Sequence, residues 1–134
     1  MVRPDDATIV LDSGAVIGLA RGDARLRAAL NKAHHLGTEV AVPMIVISET
    51  VRGNGPRDAA VNLVLARFGP HRPLDEETAR LAGSLLGAAR SNHTADALVA
   101  AEALRRTPST LITSDPTDMR SLLTGHPGVN VESI

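Results

Sequence analysis

Short apolar runs alternate with longer helix-forming segments along the 134-residue chain, and no other feature limits its fold as much. The run Thr8–Leu11 is β-branched and aliphatic, which is typical of a buried strand. Ala24–Leu36 instead repeats leucine and alanine at helical intervals, which indicates a helix with one apolar face. Strands that alternate with helices in this way predict an α/β fold with a mostly parallel sheet.

The same patterns, with glycine and proline as breaks, place the other elements. Further strands are predicted at Glu39–Val42, Arg72–Leu74, Thr110–Ser114 and Val129–Glu132. Further helices are predicted at Ala15–Ala20, Met44–Arg52, Arg57–Phe68, Glu76–Arg90, Ala95–Arg106 and Pro116–Leu123. The length suits one domain with a sizeable core, so we expect residues 1–134 to form a single domain.

Composition excludes several classes of function. The chain has no Trp or Tyr and a single Phe, so a module that stacks bases on aromatic rings is not expected. Cysteine is absent, which excludes disulfides, thiolate nucleophiles, zinc ribbons and iron–sulfur clusters. The net charge of -1 creates no global attraction for nucleic acid, although arginine suits phosphate contact in a local basic patch. With no signal segment and no apolar run near the roughly 18 residues of a membrane span, a soluble cytoplasmic protein is expected.

Acidic residues stand where an α/β sheet usually binds its ligand. Asp12 and Asp115 each follow a predicted strand, and open sheets of this kind bind ligands beyond the carboxyl ends of their strands. Each acid also has an ordinary interpretation. Asp12 suits a helix N-cap, and the run Asp115–Asp118 is typical of a helix start. Asp96, in a first helical turn, likewise suits the helix dipole.

Glu49 is harder to explain as a structural residue. It shares a predicted helix face with Ile45 and Val46, where an unpaired buried carboxylate is unfavourable by several kcal/mol. Pairing with Arg52 and exposure at the helix end are the alternatives. Carboxylates brought together by the fold repel one another, and a cation between them relieves that repulsion. Together the acids therefore predict a site for a hard cation such as Mg²⁺, which suits phosphodiester cleavage.

Several stretches form a pattern whose order and spacing are more specific than any of them alone. They are Leu11-Asp12-Ser13, Ser48-Glu49-Thr50-Val51-Arg52-Gly53, Asp96-Ala97-Leu98-Val99-Ala100-Ala101-Glu102-Ala103 and Thr113-Ser114-Asp115-Pro116-Thr117-Asp118-Met119. In these stretches, over nearly its whole length, the chain resembles the PIN domain, specifically the VapC-type toxins of bacterial toxin–antitoxin pairs. One departure is Met119, where many relatives carry an aromatic residue.

The resemblance implies a three-layer α/β fold and a Mg²⁺- or Mn²⁺-dependent endoribonuclease that acts as a toxin. It also implies a homodimer and a cognate VapB-like antitoxin that covers the active site. The implied acidic quartet is Asp12, Glu49, Asp96 and Asp115, with Asp118 as a further metal ligand. Asp12 and Asp96 are the expected direct ligands, Glu49 and Asp115 would act through water or a second ion, and Ser13 or Thr113 would orient a water or a phosphate oxygen.

Two other functions stand as alternatives. A catalytically inactive PIN-like interaction module would share the fold, and only an activity assay separates the two. A phospho-acceptor signalling domain would share the size and the acids at strand ends, but such domains resemble one another in a lysine after a late strand, and the one lysine here is Lys32. Near the acids, His93 precedes Asp96; the favoured interpretation is a solvated loop histidine, with phosphate contact or proton donation as alternatives.

Overall fold

The computed structural model describes residues 8–134. Strands β1–β4 span Thr8–Leu11, Glu39–Ala41, Ser109–Thr113 and Val129–Ser133. Helices α1–α7 span Ser13–Ala20, Ala24–His35, Met44–Thr50, Gly55–Arg67, Glu76–Ala89, Thr94–Arg105 and Pro116–Leu122. This order confirms the alternation of strands and helices that the sequence predicts.

The central sheet is parallel throughout, with strand order β2-β1-β3-β4. β1 and β3 lie in the middle, and Leu11 of β1 pairs with Ile112 of β3 near their carboxyl ends. From β1 the chain crosses towards one edge of the sheet, whereas from β3 it crosses towards the other. The carboxyl ends of these two strands therefore flank the switch point at which sheets of this kind bind ligands.

Helices cover both faces of the middle strands, which confirms the α/β architecture in three layers. α1 and α6 each contact β1 and β3. Every residue of β1 and β3 is buried, as is usual for parallel strands enclosed by helices. Ala97, Ala100 and Ala101 of α6 are fully buried, and their small side chains let this helix lie close to the sheet.

The core is aliphatic, as the scarcity of aromatic residues requires. Ile9, Leu11, Leu111 and Met119 are among its largest fully buried side chains. Met119, where the resemblance leads us to expect an aromatic residue, thus fills the interior. Within residues 8–134, no helix has both the length and the apolar surface that crossing a bilayer requires.

The strand predicted at Arg72–Leu74 is wrong, because these residues have no strand conformation. All of them are exposed, so pairing with a sheet edge would gain little free energy from burial. Pro73 also lacks the N–H group that a sheet ladder uses. Arg72 instead lies 3.9 Å from Glu39 of β2, as an exposed ion pair.

Candidate metal centre

Asp12 is fixed at the carboxyl end of β1 by the backbone of two elements. Its Oδ1 accepts a hydrogen bond from the N–H of Ala15 at 2.9 Å, which caps α1. Its Oδ2 accepts a hydrogen bond from the N–H of Ser114 at 3.2 Å, which ties it to the end of β3. The residue is only 5% exposed. Asp12 is therefore the helix cap that the sequence indicates and also a carboxylate held at the switch point.

Asp115 and Asp118 lie where β3 leads into α7. Thr113 is fully buried, and its Oγ1 accepts a hydrogen bond from the N–H of Asp115 at 2.8 Å. Asp115 occupies the N-cap position of α7, but its side chain makes no capping hydrogen bond to that helix. Its carboxyl shares a hydrogen bond with that of Asp118, which, with burial, raises the pKa of Asp115. Asp115 therefore holds the N-cap position that the sequence predicts, while its carboxyl contacts that of Asp118.

Asp96 lies in the first turn of α6, with its carboxylate among the other acids. Burial is the largest cause that raises the pKa of Asp96, followed by the charge of Asp115, with smaller effects from Asp118 and Asp12. His93 opposes this shift. The Nδ1 atom of His93 lies 3.8 Å from Oδ2 of Asp96 and 3.3 Å from Oδ2 of Asp118. Asp96 is thus the acid that the structure places next to most of the others.

Glu49 reaches the same place from the second half of α3. Burial raises its pKa most, and the charges of Asp96 and Asp12 raise it further against the opposing charge of Arg52. The Arg52 guanidinium donates to carbonyl oxygens at the end of α3, including that of Glu49 at 2.9 Å, and so caps the helix. Because these contacts engage the guanidinium with backbone oxygens, the side chain of Glu49 is left available to a cation.

The charges of the predicted acids therefore interact, although the acids come from β1, α3, α6 and the start of α7. Among the described residues, those whose ligand atoms all lie within 4.8 Å of one another are His93, Asp96 and Asp118. The charge of Asp96 is repelled by those of Asp12, Asp115 and Asp118. It also repels the charge of Glu49. Burial, mutual repulsion and the hydrogen bond between Asp115 and Asp118 raise the pKa at Glu49, Asp96 and Asp115, so a nearby positive charge would favour their ionised forms. A divalent cation supplies that charge, and carboxylate oxygens are the ligands that hard cations prefer. The donor set therefore fits a divalent metal ion.

Asp58, which the sequence analysis did not single out, holds the chain next to this site. It is 2% exposed, and its Oδ2 accepts hydrogen bonds from the N–H groups of Arg52, Gly53 and Asn54 at 2.8–3.1 Å. Burial raises its pKa, but these N–H donors and the charge of Arg57 outweigh burial, so the pKa lies below its usual value. In the sequence, Asp58 could have been noticed as an acid in the first turn of a helix that follows a glycine-containing loop.

His93, at the N-cap position of α6, matches the favoured interpretation in its exposure but not in its contacts. Its side chain is 52% exposed, as expected of a loop histidine, yet its ring nitrogen faces two carboxylates of the site. The signal was its spacing, since residues three apart at the start of a helix lie on the same side. The contact with Asp118 depends on how α7 packs against α6, which no local pattern encodes.

Comparisons with known proteins agree with this fold. The family model of the PIN domain matches residues 9–120. Among solved structures, the fold is similar to a chain of VapBC2 from Rickettsia felis bound to a DNA fragment from its promoter, with a TM-score of 0.74, 14% identity, and coverage of 95% of this chain and 98% of that chain. It is also similar to a chain of FitAB bound to an IR36 DNA fragment, with a TM-score of 0.69, 20% identity, and coverage of 93% and 94% respectively. No curated protein matches the sequence.

Proposed function

The chain belongs to the PIN-domain family, and on that premise we propose that it is a Mg²⁺- or Mn²⁺-dependent endoribonuclease that acts as the toxin of a toxin–antitoxin pair. PIN domains are nucleases that generally use divalent metal ions. The observation that carries the proposal is the meeting of carboxylates from separate elements at the switch point of the sheet. A purely structural role for these acids would not require them to meet.

The residues divide into proposed roles by how firmly each is held. Asp12, with both oxygens bound by backbone N–H groups, and Asp96, the common neighbour of the other acids, are the proposed direct metal ligands. Glu49, Asp115 and Asp118 complete the negative charge around the ion, either through water or at a second ion. When bound, the ion would activate a water molecule and stabilise negative charge on a phosphate.

The hydroxyl groups near the acids have different surroundings. The buried Thr113 hydroxyl positions the backbone of Asp115, so its proposed role is to fix that acid. Ser13 is half-buried at the start of α1 beside Asp12, and it is the better candidate to orient a water or a phosphate oxygen.

The proposed partners follow from the similar structures, both of which are protein pairs bound to DNA. We propose that this chain binds a cognate VapB-like antitoxin, forms a homodimer and cleaves RNA. An inactive interaction module with the same fold is the competing proposal, and it predicts no metal-dependent cleavage. A phospho-acceptor domain is disfavoured, because Lys32, the one lysine of the chain, is exposed in the last turn of α2 and does not follow a late strand.

An Asp96→Asn variant tests the proposed function. Wild-type protein is expected to cleave RNA with Mg²⁺ and to stop with EDTA. The variant keeps the shape of the side chain but removes its charge, and a lost contribution of several kcal/mol to the transition state corresponds to a rate at least ~100-fold lower. Cut sites mapped on total RNA, with and without the metal, provide the measurement.

Asp23→Asn is the matched control for this test. Asp23 caps α2 beyond the far end of α1, and asparagine retains that capping ability. The control variant is expected to cleave RNA at the wild-type rate. Cleavage by Asp96→Asn at the wild-type rate would falsify the assignment of the site and favour the inactive module.

A further inference from the structure

We propose that His93 is a further ligand of the metal ion, binding through Nδ1 beside Asp96 and Asp118, and that it makes the site prefer a first-row transition ion such as Mn²⁺ over Mg²⁺. This inference rests on the proposed function, because it concerns the same site. It adds a nitrogen donor to a set that otherwise contains only oxygen.

The distances between the donor atoms match those around a single ion. Nδ1 of His93 lies 3.3 Å from Oδ2 of Asp118 and 3.8 Å from Oδ2 of Asp96, and the ligand atoms of all three residues lie within 4.8 Å of one another. Atoms that share an ion at bond lengths of about 2.0–2.2 Å are separated by roughly 3.0–4.4 Å, depending on the angle at the metal. Only small side-chain movements are therefore needed for all three to bind one ion.

Hydrogen bonds on both sides fix the backbone of His93 at the start of α6. The N–H of His93 donates to Oγ of Ser91 at 3.1 Å, and its carbonyl oxygen accepts from the N–H of Ala97 in the first turn of α6. Asp96 lies in the same turn, whereas Asp118 comes from α7. Donors from two packed helices thus converge, with one side of the ring left open to solvent, where an ion can enter.

The chemistry of imidazole gives the metal preference. Mg²⁺ takes oxygen ligands and gives up water reluctantly, so a nitrogen donor contributes little to its binding. Imidazole is a better ligand for first-row transition ions, whose affinity for mixed nitrogen and oxygen sites rises through the series that begins with Mn²⁺. The competing interpretation is a simple ion pair, in which a protonated His93 only balances the charge of the two carboxylates.

Metal binding by His93→Gln separates these interpretations without relying on activity. Glutamine places an oxygen in the same region, so Mg²⁺ affinity is expected to change less than about threefold, whereas Mn²⁺ affinity falls at least ~10-fold. Mn²⁺ titrations followed by electron paramagnetic resonance measure the affinity. The spin-echo spectrum of the wild-type Mn²⁺ complex is expected to show coupling to a ¹⁴N nucleus, which the variant loses.

His34→Gln is the matched control, because His34 lies exposed on α2 next to His35. This variant is expected to leave both the Mn²⁺ affinity and the ¹⁴N coupling unchanged. A wild-type complex without ¹⁴N coupling, or unchanged Mn²⁺ affinity in His93→Gln, overturns the inference and supports the ion pair. If Asp96→Asn also binds Mn²⁺ as tightly as the wild type, the metal site itself is wrong. If Asp96→Asn alone loses Mn²⁺, the proposed function stands and only the role of His93 fails.

Discussion

At the scale of single residues, Asp12 combines a helix cap with the proposed role of a metal ligand, and the two roles are compatible. The sequence presents them as competing interpretations, but a carboxylate has about four lone-pair positions. Two of these accept the N–H groups of Ala15 and Ser114, and the others remain for a cation. The position of Asp12 directly after a strand was enough to predict that it lies at the ligand-binding edge of the sheet. Its contact with Ser114 was beyond prediction, since it depends on the pairing of distant strands.

Gly14 is a residue at which the absence of a side chain matters. A Cβ atom at this position would lie 2.5 Å from Cβ of Ser114 and 3.4 Å from Oδ1 of Asp12. We expect Gly14→Ala to lower the free energy of unfolding by about 1–3 kcal/mol, the usual cost of overpacking. Urea denaturation measures this change, and metal affinity should fall with it because Asp12 is displaced.

Gly83→Ala is the control for this substitution. Gly83 lies inside α5, and a Cβ there has no neighbour within 4 Å. Alanine is the better helix former by roughly 0.5–1 kcal/mol, so this variant should be more stable than the wild type. If Gly14→Ala proves as stabilising as Gly83→Ala, then α1 does not approach the end of β3 as closely as the distance between Gly14 and Ser114 indicates.

At the scale of elements, α3 ends earlier than its sequence predicts. The expected helix ran to Arg52, but Val51 is extended and α3 ends at Thr50. The reason is Asp58, which takes the N–H groups of Arg52 and the residues after it. Local helix propensity could not show this, because the competing acceptor belongs to the next helix and becomes available only when α4 has formed.

Asp75 connects two helices and gives the fold a pH dependence. It caps α5 through the N–H of Thr78, and Arg105 of α6 donates to both of its oxygens at 2.7 and 2.8 Å. Hydrogen bonds from Thr78, then from Arg105, lower the pKa of Asp75 from 3.8 to about 2. Because the folded pKa is the lower one, this stabilisation is complete above pH 3.8 and is lost as the pH falls to about 2.

Asp75→Asn is therefore expected to be less stable than the wild type at pH 7, with a difference that shrinks below pH 3.8 and vanishes near pH 2. Denaturant midpoints over that pH range test it. Glu77→Gln serves as the control, because the Glu77–Arg105 pair is 2.8 Å long but Glu77 is 81% exposed, and exposed pairs contribute little. A difference for Asp75→Asn that is constant with pH would show that its charge is not involved.

At the scale of the whole molecule, the alternation of strands and helices was sufficient to predict the architecture and the edge of the sheet that carries the site. The order of the acids along the chain predicts a shared site, and the charges of Glu49, Asp12, Asp115 and Asp118 all act on or with that of Asp96. The contact between His93 and Asp118 was not predictable, since it arises where α6 and α7 pack together. The prediction of a strand at Arg72–Leu74 was wrong for a related reason. A short extended run becomes a strand only if it pairs with a sheet edge that buries it.

The site also lowers the stability of the metal-free fold. Raised pKa values at Glu49, Asp96 and Asp115 mean that their charged forms oppose folding at neutral pH. Asp96→Asn is thus expected to melt a few degrees above the wild type in EDTA. Added Mn²⁺ should stabilise the wild type, by about 2.7 kcal/mol at 100 times the Kd, and the variant much less.

Thermal melts with and without metal measure both effects, and Asp23→Asn should melt with the wild type in each condition. A metal-free Asp96→Asn that melts below the wild type would mean that its carboxylate stabilises the fold. The repulsion between the acids would then be too weak to favour the binding of a cation.

The central position of β1 has a consequence for the order in which the protein can mature during synthesis. β1 leaves the ribosome first, but its neighbour β3 ends at Thr113 and the last acid of the site is Asp118. Since chains lengthen at about 5–20 residues per second, Asp12 waits several seconds for Ser114 to complete its surroundings. A chain interrupted before Ser114 lacks the hydrogen bond that completes the surroundings of Asp12, so the proposed site can assemble only when nearly the whole chain has been made.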